Sequence, residues 1–218
     1  MKIGVLGCGG IAATLSKTFN QMSSLECYAV SSRSYEKAEA FAKQYGYQKA
    51  YADYEELVSD PDVELVYVAT PHSRHFEDMQ LCINHGKPVV CEKSFTINAK
   101  EAQVIAELSA EKKVYTQEAI WTRYMPSRKI IDDVIKSNLI GTPKILTANL
   151  SYKIDQNKRL VDPKLAGGAL LDVGVYGINF SCMHFGYDIQ KIESSVQMTE
   201  AGVDGQESII IHYTGGRM

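Results

Sequence analysis

The chain opens on an unbroken apolar run, Lys2 to Leu6, which gives way to Gly7-Cys8-Gly9-Gly10-Ile11-Ala12 and then to apolar positions at helical spacing. A short continuous apolar run closed by a turn signal reads as a buried strand. A second strand spans Glu26 to Ser31, followed by a helix around Tyr35 to Tyr45, a short strand near Lys49 to Tyr51, and a helix opened by Asp53 with Glu56 in capping-box spacing. Glu64 to Ala69 predicts a buried parallel strand, Ser73 to His85 a helix and Pro88 to Glu92 another strand. Asn98 to Lys112 predicts a helix capped by Asn98 with Glu101 following, and Val114 to Gln117 a sixth strand. Repeated alternation of strand and helix means a doubly wound parallel sheet, a Rossmann-type α/β domain over residues 1–120.

The pattern changes around Trp121 to Pro126. Beyond Gly141 the period becomes two: Leu146, Ala148, Leu150 and Tyr152 alternate with polar partners, as do Ile192, Val196 and Met198. Residues 121–218 therefore read as a second, α+β domain with a largely antiparallel open sheet interrupted by a glycine-rich helix, Gly167 to Phe185. Ser208 to Tyr213 begins a further strand, and Thr214-Gly215-Gly216 signals a turn where a hairpin should return. An open sheet lacking returning strands leaves an unpaired edge. With 218 residues, the chain reads as one domain plus part of another, a truncated form.

Composition narrows the ligand. Apolar residues make up 45% and charged residues 22%, so a sizeable core can form and no disorder signature appears. A net charge of -3 without a Lys/Arg block argues against a nucleic-acid or membrane-surface partner and leaves small molecules. The five cysteines are odd in number and show no C-x-x-C pair, which predicts reduced thiols in a cytoplasmic protein and no zinc or other metal. Glycines interrupt the apolar N-terminus, so it reads as strand and turn rather than secretory signal, and no later stretch looks long enough to span a membrane.

The turn after the first strand carries the first candidate chemistry. Gly7 permits the tight strand-to-helix turn, Gly9 lets a pyrophosphate approach the backbone, and Ala12 keeps the helix close to the sheet. Amides from Gly9 to Ala12, including those of Gly10 and Ile11, then meet the phosphates at the helix N-terminus. The second strand separates the cofactors. An NAD site ends it with Asp or Glu for the ribose 2'-hydroxyl, whereas here it ends in Ser31-Ser32-Arg33-Ser34. Arg33 can fork onto a 2'-phosphate while Ser32 and Ser34 donate hydroxyls, and Lys37 follows one helical turn later. The expected cofactor is NADP rather than NAD. A solvated basic residue opening a helix is the plain alternative for Arg33.

Two strand ends add candidates at the edge where open parallel sheets bind ligands. Thr70-Pro71-His72 and His75 follow the fourth strand, where a nicotinamide ribose could rest; loop or cap histidines are the plainer reading. Glu92-Lys93-Ser94 closes the fifth. A lysine there can hold a substrate hydroxyl and lower the pKa of a neighbouring phenol, because a nearby cation favours the anion. Asp172 and Tyr176, four residues apart, share one helical face, with Gly174 between them. Helical glycine costs roughly 1 kcal/mol against alanine, so Gly167, Gly168 and Gly174 predict close approach by a ligand or another backbone. A buried Tyr capping the core is the structural alternative for Tyr176.

Together these residues resemble the glucose-fructose oxidoreductase and inositol dehydrogenase superfamily (Gfo/Idh/MocA), within it the branch of dimeric dihydrodiol dehydrogenase and NADP-dependent D-xylose dehydrogenase. The likeness covers essentially the whole chain and rests on Gly7-x-Gly9-x-x-Ala12, Ser32-Arg33, Thr70-Pro71-His72, Glu92-Lys93, Glu118 to Pro126, and Gly167 to Tyr176. It implies hydride transfer between nicotinamide C4 and the carbon of an aldose sugar or vicinal (dihydro)diol. Tyr176 is then the general acid/base, Lys93 lowers its pKa, Asp172 orients the substrate hydroxyl, and Trp121 and Arg123 lie near the substrate. It also implies a homodimer through the C-terminal sheet. Two departures stand out: Ser94 replaces a proline that relatives often join through a cis bond, and relatives continue for about a hundred further residues, a length common for part of a domain. A dinucleotide-binding protein or fragment without catalysis is the alternative. A methyltransferase, which needs an acid at the end of strand two, is disfavoured by Ser32-Arg33.

Overall fold

The structure, a computed structural model, describes residues 1–153 and 157–218, which form two compact units, Met1–Ala119 and Ile120–Met218. The first unit runs β1 Lys2–Leu6, α1 Gly10–Phe19, β2 Glu26–Ser31, α2 Tyr35–Tyr45, β3 Lys49–Tyr51, α3 Tyr54–Ser59, β4 Leu65–Val68, α4 His72–Asn84, β5 Val89–Cys91, α5 Ala99–Lys112 and β6 Thr116–Glu118. Its six strands are all parallel, in the order β3-β2-β1-β4-β5-β6. That is the doubly wound order, whose direction of winding reverses between β1 and β4.

The strands read as apolar runs because both faces of the sheet are covered. Leu6, Val66 and Val68 join Leu57, Met79 and Ile105 in one core, while Ile3, Val5 and Tyr67 join Ala12, Phe19 and Phe41 in another. Caps set the helix starts. Asn98 accepts from the Glu101 amide at 2.9 Å and the Glu101 carboxylate returns to the Asn98 amide group, as the spacing predicts. Asp53 also caps, but it accepts from Glu55 rather than completing a box with Glu56.

The second unit begins with a 3-10 turn, Trp121–Tyr124, followed by α6 Pro126–Lys136, α7 Lys158–Val161 and a 3-10 turn Pro163–Leu165. A π-helical turn, Leu170–Gly174, then runs directly into α8 Val175–Phe185. An antiparallel pair follows, β7 Ile189–Met198 and β8 Asp204–Tyr213. Glu207, Ile209, Ile211 and Tyr213 alternate toward the less exposed side of β8, and Tyr213 meets α8 through an edge-on contact with Phe185 and a hydroxyl bond to Ser181.

Two sequence expectations for this unit need correction. Leu146 to Tyr152 form no strand: the Leu146 amide and the Lys144 carbonyl bond to the backbone of Met218, and no ladder continues from there among the described residues. Alternation marks which residues could face a core, but a strand also needs a neighbour. The helical run Pro163–Phe185, 23 residues with a stretch inside it of mean hydropathy 1.2, does reach the length and apolarity of a membrane span. The turns that interrupt it hid this in the sequence. Its Asp172 lies near Arg159 and its Leu170 amide donates to Asp204 on β8.

Candidate active site

The reversal between β1 and β4 brings two loops together in the first unit. Gly7 has φ +99°, and a side chain there would meet the Ala69 carbonyl at 2.8 Å, so the chain crosses the head of the loop after β4 only as glycine. Beyond that contact the turn is open. Cβ atoms built on Gly9 and Gly10 meet nothing within 4 Å, and α1 starts at Gly10 with no side-chain cap. Unpaired amides of Gly10, Ile11 and Ala12 beside open space fit a pyrophosphate. Ala12 is fully buried, as close packing of helix on sheet requires. Burial pushes the Cys8 thiol up to about 11, so the cysteine in this turn is no nucleophile at neutral pH.

At the end of β2, Ser32 is buried and Arg33 and Lys37 are exposed. The hydroxyl of Ser34 differs from its expected part: it accepts from the Lys37 amide as the N-cap of α2 and donates to Glu36 at 2.7 Å. Arg33 and Lys37 stand exposed beyond this cap, with Ser32 buried before them. The acid of this segment, Glu36, lies within the first turn of α2.

After β4, Pro71 is the N-cap of α4, His72 is its first residue, and Thr70 donates its hydroxyl to the buried Asp78 at 2.7 Å. His75 lies wholly buried, with ring nitrogens 2.6 Å from the Ser94 carbonyl and 2.9 Å from the Thr70 carbonyl. Its ring is thereby committed to protein backbone, so His75 acts on a ligand only indirectly; His72 is nearly as buried. After β5, the Glu92 carboxylate accepts from the Tyr67 hydroxyl at 2.7 Å and from the Lys93 amide at 3.2 Å. Lys93 is half-buried and its peptide bond to Ser94 is cis.

In the second unit, Trp121 donates its indole N–H to the Tyr176 hydroxyl at 3.1 Å, with the rings edge-on at 6.3 Å. Arg123 donates to Asn179 at 2.6 Å and to Tyr187 at 2.9 Å, so its guanidinium ties the 3-10 turn to α8. Asp172 lies 3.8 Å from Arg159. Tyr176 also lines a cavity of about 800 Å³ between residues 145–152, α8 and β8. The glycines in this stretch are explained by protein, not ligand. Side chains at Gly167, Gly168 and Gly174 would strike the Leu160 carbonyl, the Asp204 carboxylate and the Glu207 carboxylate respectively. Sequence reasoning missed Asp204 and Glu207, whose spacing reads as ordinary exposed polar positions.

Strand order and an open glycine turn at the reversal define the first unit as a dinucleotide-binding fold. Residues 1–119 match the profile of the oxidoreductase family with an NAD-binding Rossmann fold, and residues 129–218 match the GFO/IDH/MocA C-terminal domain. The chain belongs to the GFO/IDH/MocA oxidoreductase family. Among its relatives, trans-1,2-dihydrobenzene-1,2-diol dehydrogenase of Mus musculus is 34% identical over 219 residues, covering 99% of this chain and 66% of the relative. The Homo sapiens protein of that name is 32% identical, with 99% and 65% covered. A 3-ketoreductase from Actinomadura kijaniata, solved with NADP and TDP-benzene, shares the fold with a TM-score of 0.88 at 23% identity, over 100% of this chain and 67% of that one. The chain thus spans about two thirds of the length of these relatives.

Proposed function

We propose that the chain carries the cofactor site and the acid/base residues of an NADP-dependent oxidoreductase acting on CH–OH groups of aldose sugars or vicinal diols, dihydrodiols included. The observation that carries the cofactor choice is the end of β2, where Ser32-Arg33 occupies the place of the ribose-binding acid. The NADP held by the fold neighbour and the diol named in the relatives support the reading.

When bound, the nicotinamide supplies a two-electron acceptor for the hydride leaving the substrate carbon. The hydroxyl proton must leave as that carbon becomes a carbonyl, and Tyr176 takes it as phenolate. Hydrogen bonds to an anion favour it, so the Trp121 indole donation helps hold Tyr176 ready. Lys93 favours the same phenolate and Asp172 orients the hydroxyl, the roles the family resemblance implies. Trp121 and Arg123 border the substrate. We further assign the protein to a reducing, cytoplasmic setting, where its five free cysteines stay thiols, a placement that imaging of a tagged chain would check.

Fluorescence titration with NADPH and NADH tests the cofactor. Tight NADPH and weak NADH binding is expected, with Arg33→Ala weakening NADPH roughly tenfold to a hundredfold, the loss of one charge-assisted pair, and leaving NADH unchanged. Equal affinities for both cofactors would overturn the NADP assignment. Turnover of aldoses and dihydrodiols then tests Tyr176→Phe, expected to lower kcat about a hundredfold or more at unchanged NADPH affinity. Binding without any wild-type turnover would favour the non-catalytic alternative.

A further inference from the structure

His75 presents both ring nitrogens to carbonyl oxygens from two different loops: Nδ1 to Ser94 after β5 at 2.6 Å, Nε2 to Thr70 after β4 at 2.9 Å. A carbonyl oxygen can only accept, and a neutral imidazole has one N–H. With a single proton, the ring would satisfy one loop and hold a bare lone pair against the oxygen of the other, at a fully buried side chain. With two protons, both contacts become charge-assisted donor bonds at the short distances such bonds take.

Charged groups stand on the elements that the ring joins. On α4 itself stand Arg74 and Asp78; Asp78 is fully buried and accepts from the hydroxyl of Thr70, the same residue whose carbonyl receives the ring. His72 meets the ring edge-on at 5.6 Å. From the sheet come Glu92 and Lys93 after β5, and Glu118 at the end of β6, which accepts from the Phe95 amide beside Ser94.

We propose that His75 is a positioning residue, a doubly protonated clamp that ties the Thr70 loop to the Lys93-Ser94 loop and fixes where both stand beside the dinucleotide. What those loops do for the cofactor rests on the function proposed above; the protonation state of the ring does not. Nitrogen-15 NMR of the histidine rings in the intact chain, with His75 assigned through its contact to His72, tests the charge directly. Both ring nitrogens are expected at imidazolium shifts from pH 6 to pH 8. A neutral tautomer at pH 7 would sink the clamp. The second measurement is NADPH affinity of His75→Gln, which can reach only one carbonyl; about tenfold weaker binding is expected, one charge-assisted bond, and equal affinity overturns the positioning role. If the wild type fails to bind NADPH, the cofactor reading fails alone, because the ring nitrogens still decide the clamp.

Discussion

A carboxylate that keeps its proton near neutrality is unusual enough to measure. Burial pushes Glu207 from 4.5 up to about 7, and its hydrogen bond to Asp204 and the charge of that residue add to the shift. The folded protein therefore binds more protons than the unfolded chain between those two values. Stability from this residue is complete below pH 4.5 and is lost as pH rises through about 7. Glu207→Gln imitates the protonated form. Urea unfolding at a series of pH values should show the variant matching wild type near pH 5 and exceeding it at pH 8. Parallel profiles would mean that Glu207 titrates normally. Little of this was legible beforehand: Asp204 and Glu207 lie three apart, a spacing that reads as exposed polar positions until the π-helical turn is seen to place Gly168 and Gly174 against them.

At the scale of elements, the first unit was legible almost to the residue because each boundary has a local cause. Asn98 and Ser34 cap their helices, Gly46 closes α2 with φ 78°, and unbroken apolar runs mark strands covered on both faces. The second unit was less so. Its glycines do mark close approaches, but only Gly167 meets another backbone, that of Leu160; Gly168 and Gly174 meet carboxylate side chains of β8, remote in sequence. A double-mutant cycle tests this packing. Gly174→Ala alone should destabilise, since its methyl displaces the Glu207 carboxylate; in a Glu207→Ala background the same change should stabilise by about 1 kcal/mol, the ordinary helical preference. Destabilisation of equal size in both backgrounds would place the conflict elsewhere. Gly167→Ala has no such rescue, because its methyl meets backbone atoms of Leu160 and Arg159.

Across the whole molecule, apolar surface is distributed unevenly. The first unit buries both faces of its sheet, whereas in β7 every residue is exposed, including Ile189, Ile192, Val196 and Met198, with Ile210 exposed on the paired strand. Ile192, Val196 and Met198 share one face of β7, whereas Ile210, paired with Glu193, lies on the other; an exposed apolar row beside a strand edge with no partner among the described residues is what association covers. We propose a homodimer through this sheet, as the family resemblance implies, because one patch facing its own copy closes with two-fold symmetry and leaves no edge to propagate. The charge pattern tolerates it: Lys191, Glu193 and His212 lie on the other face of the pair, where they bond to one another, so covering the apolar row does not bury them. Light scattering coupled to size exclusion should give twice the mass of one chain. Val196→Asp, which puts a charge in the middle of β7, should return the mass to one chain at unchanged NADPH affinity, since the residues proposed to hold the cofactor all belong to the first unit. A wild type that stays monomeric at micromolar concentration would show that this sheet is covered in some other way.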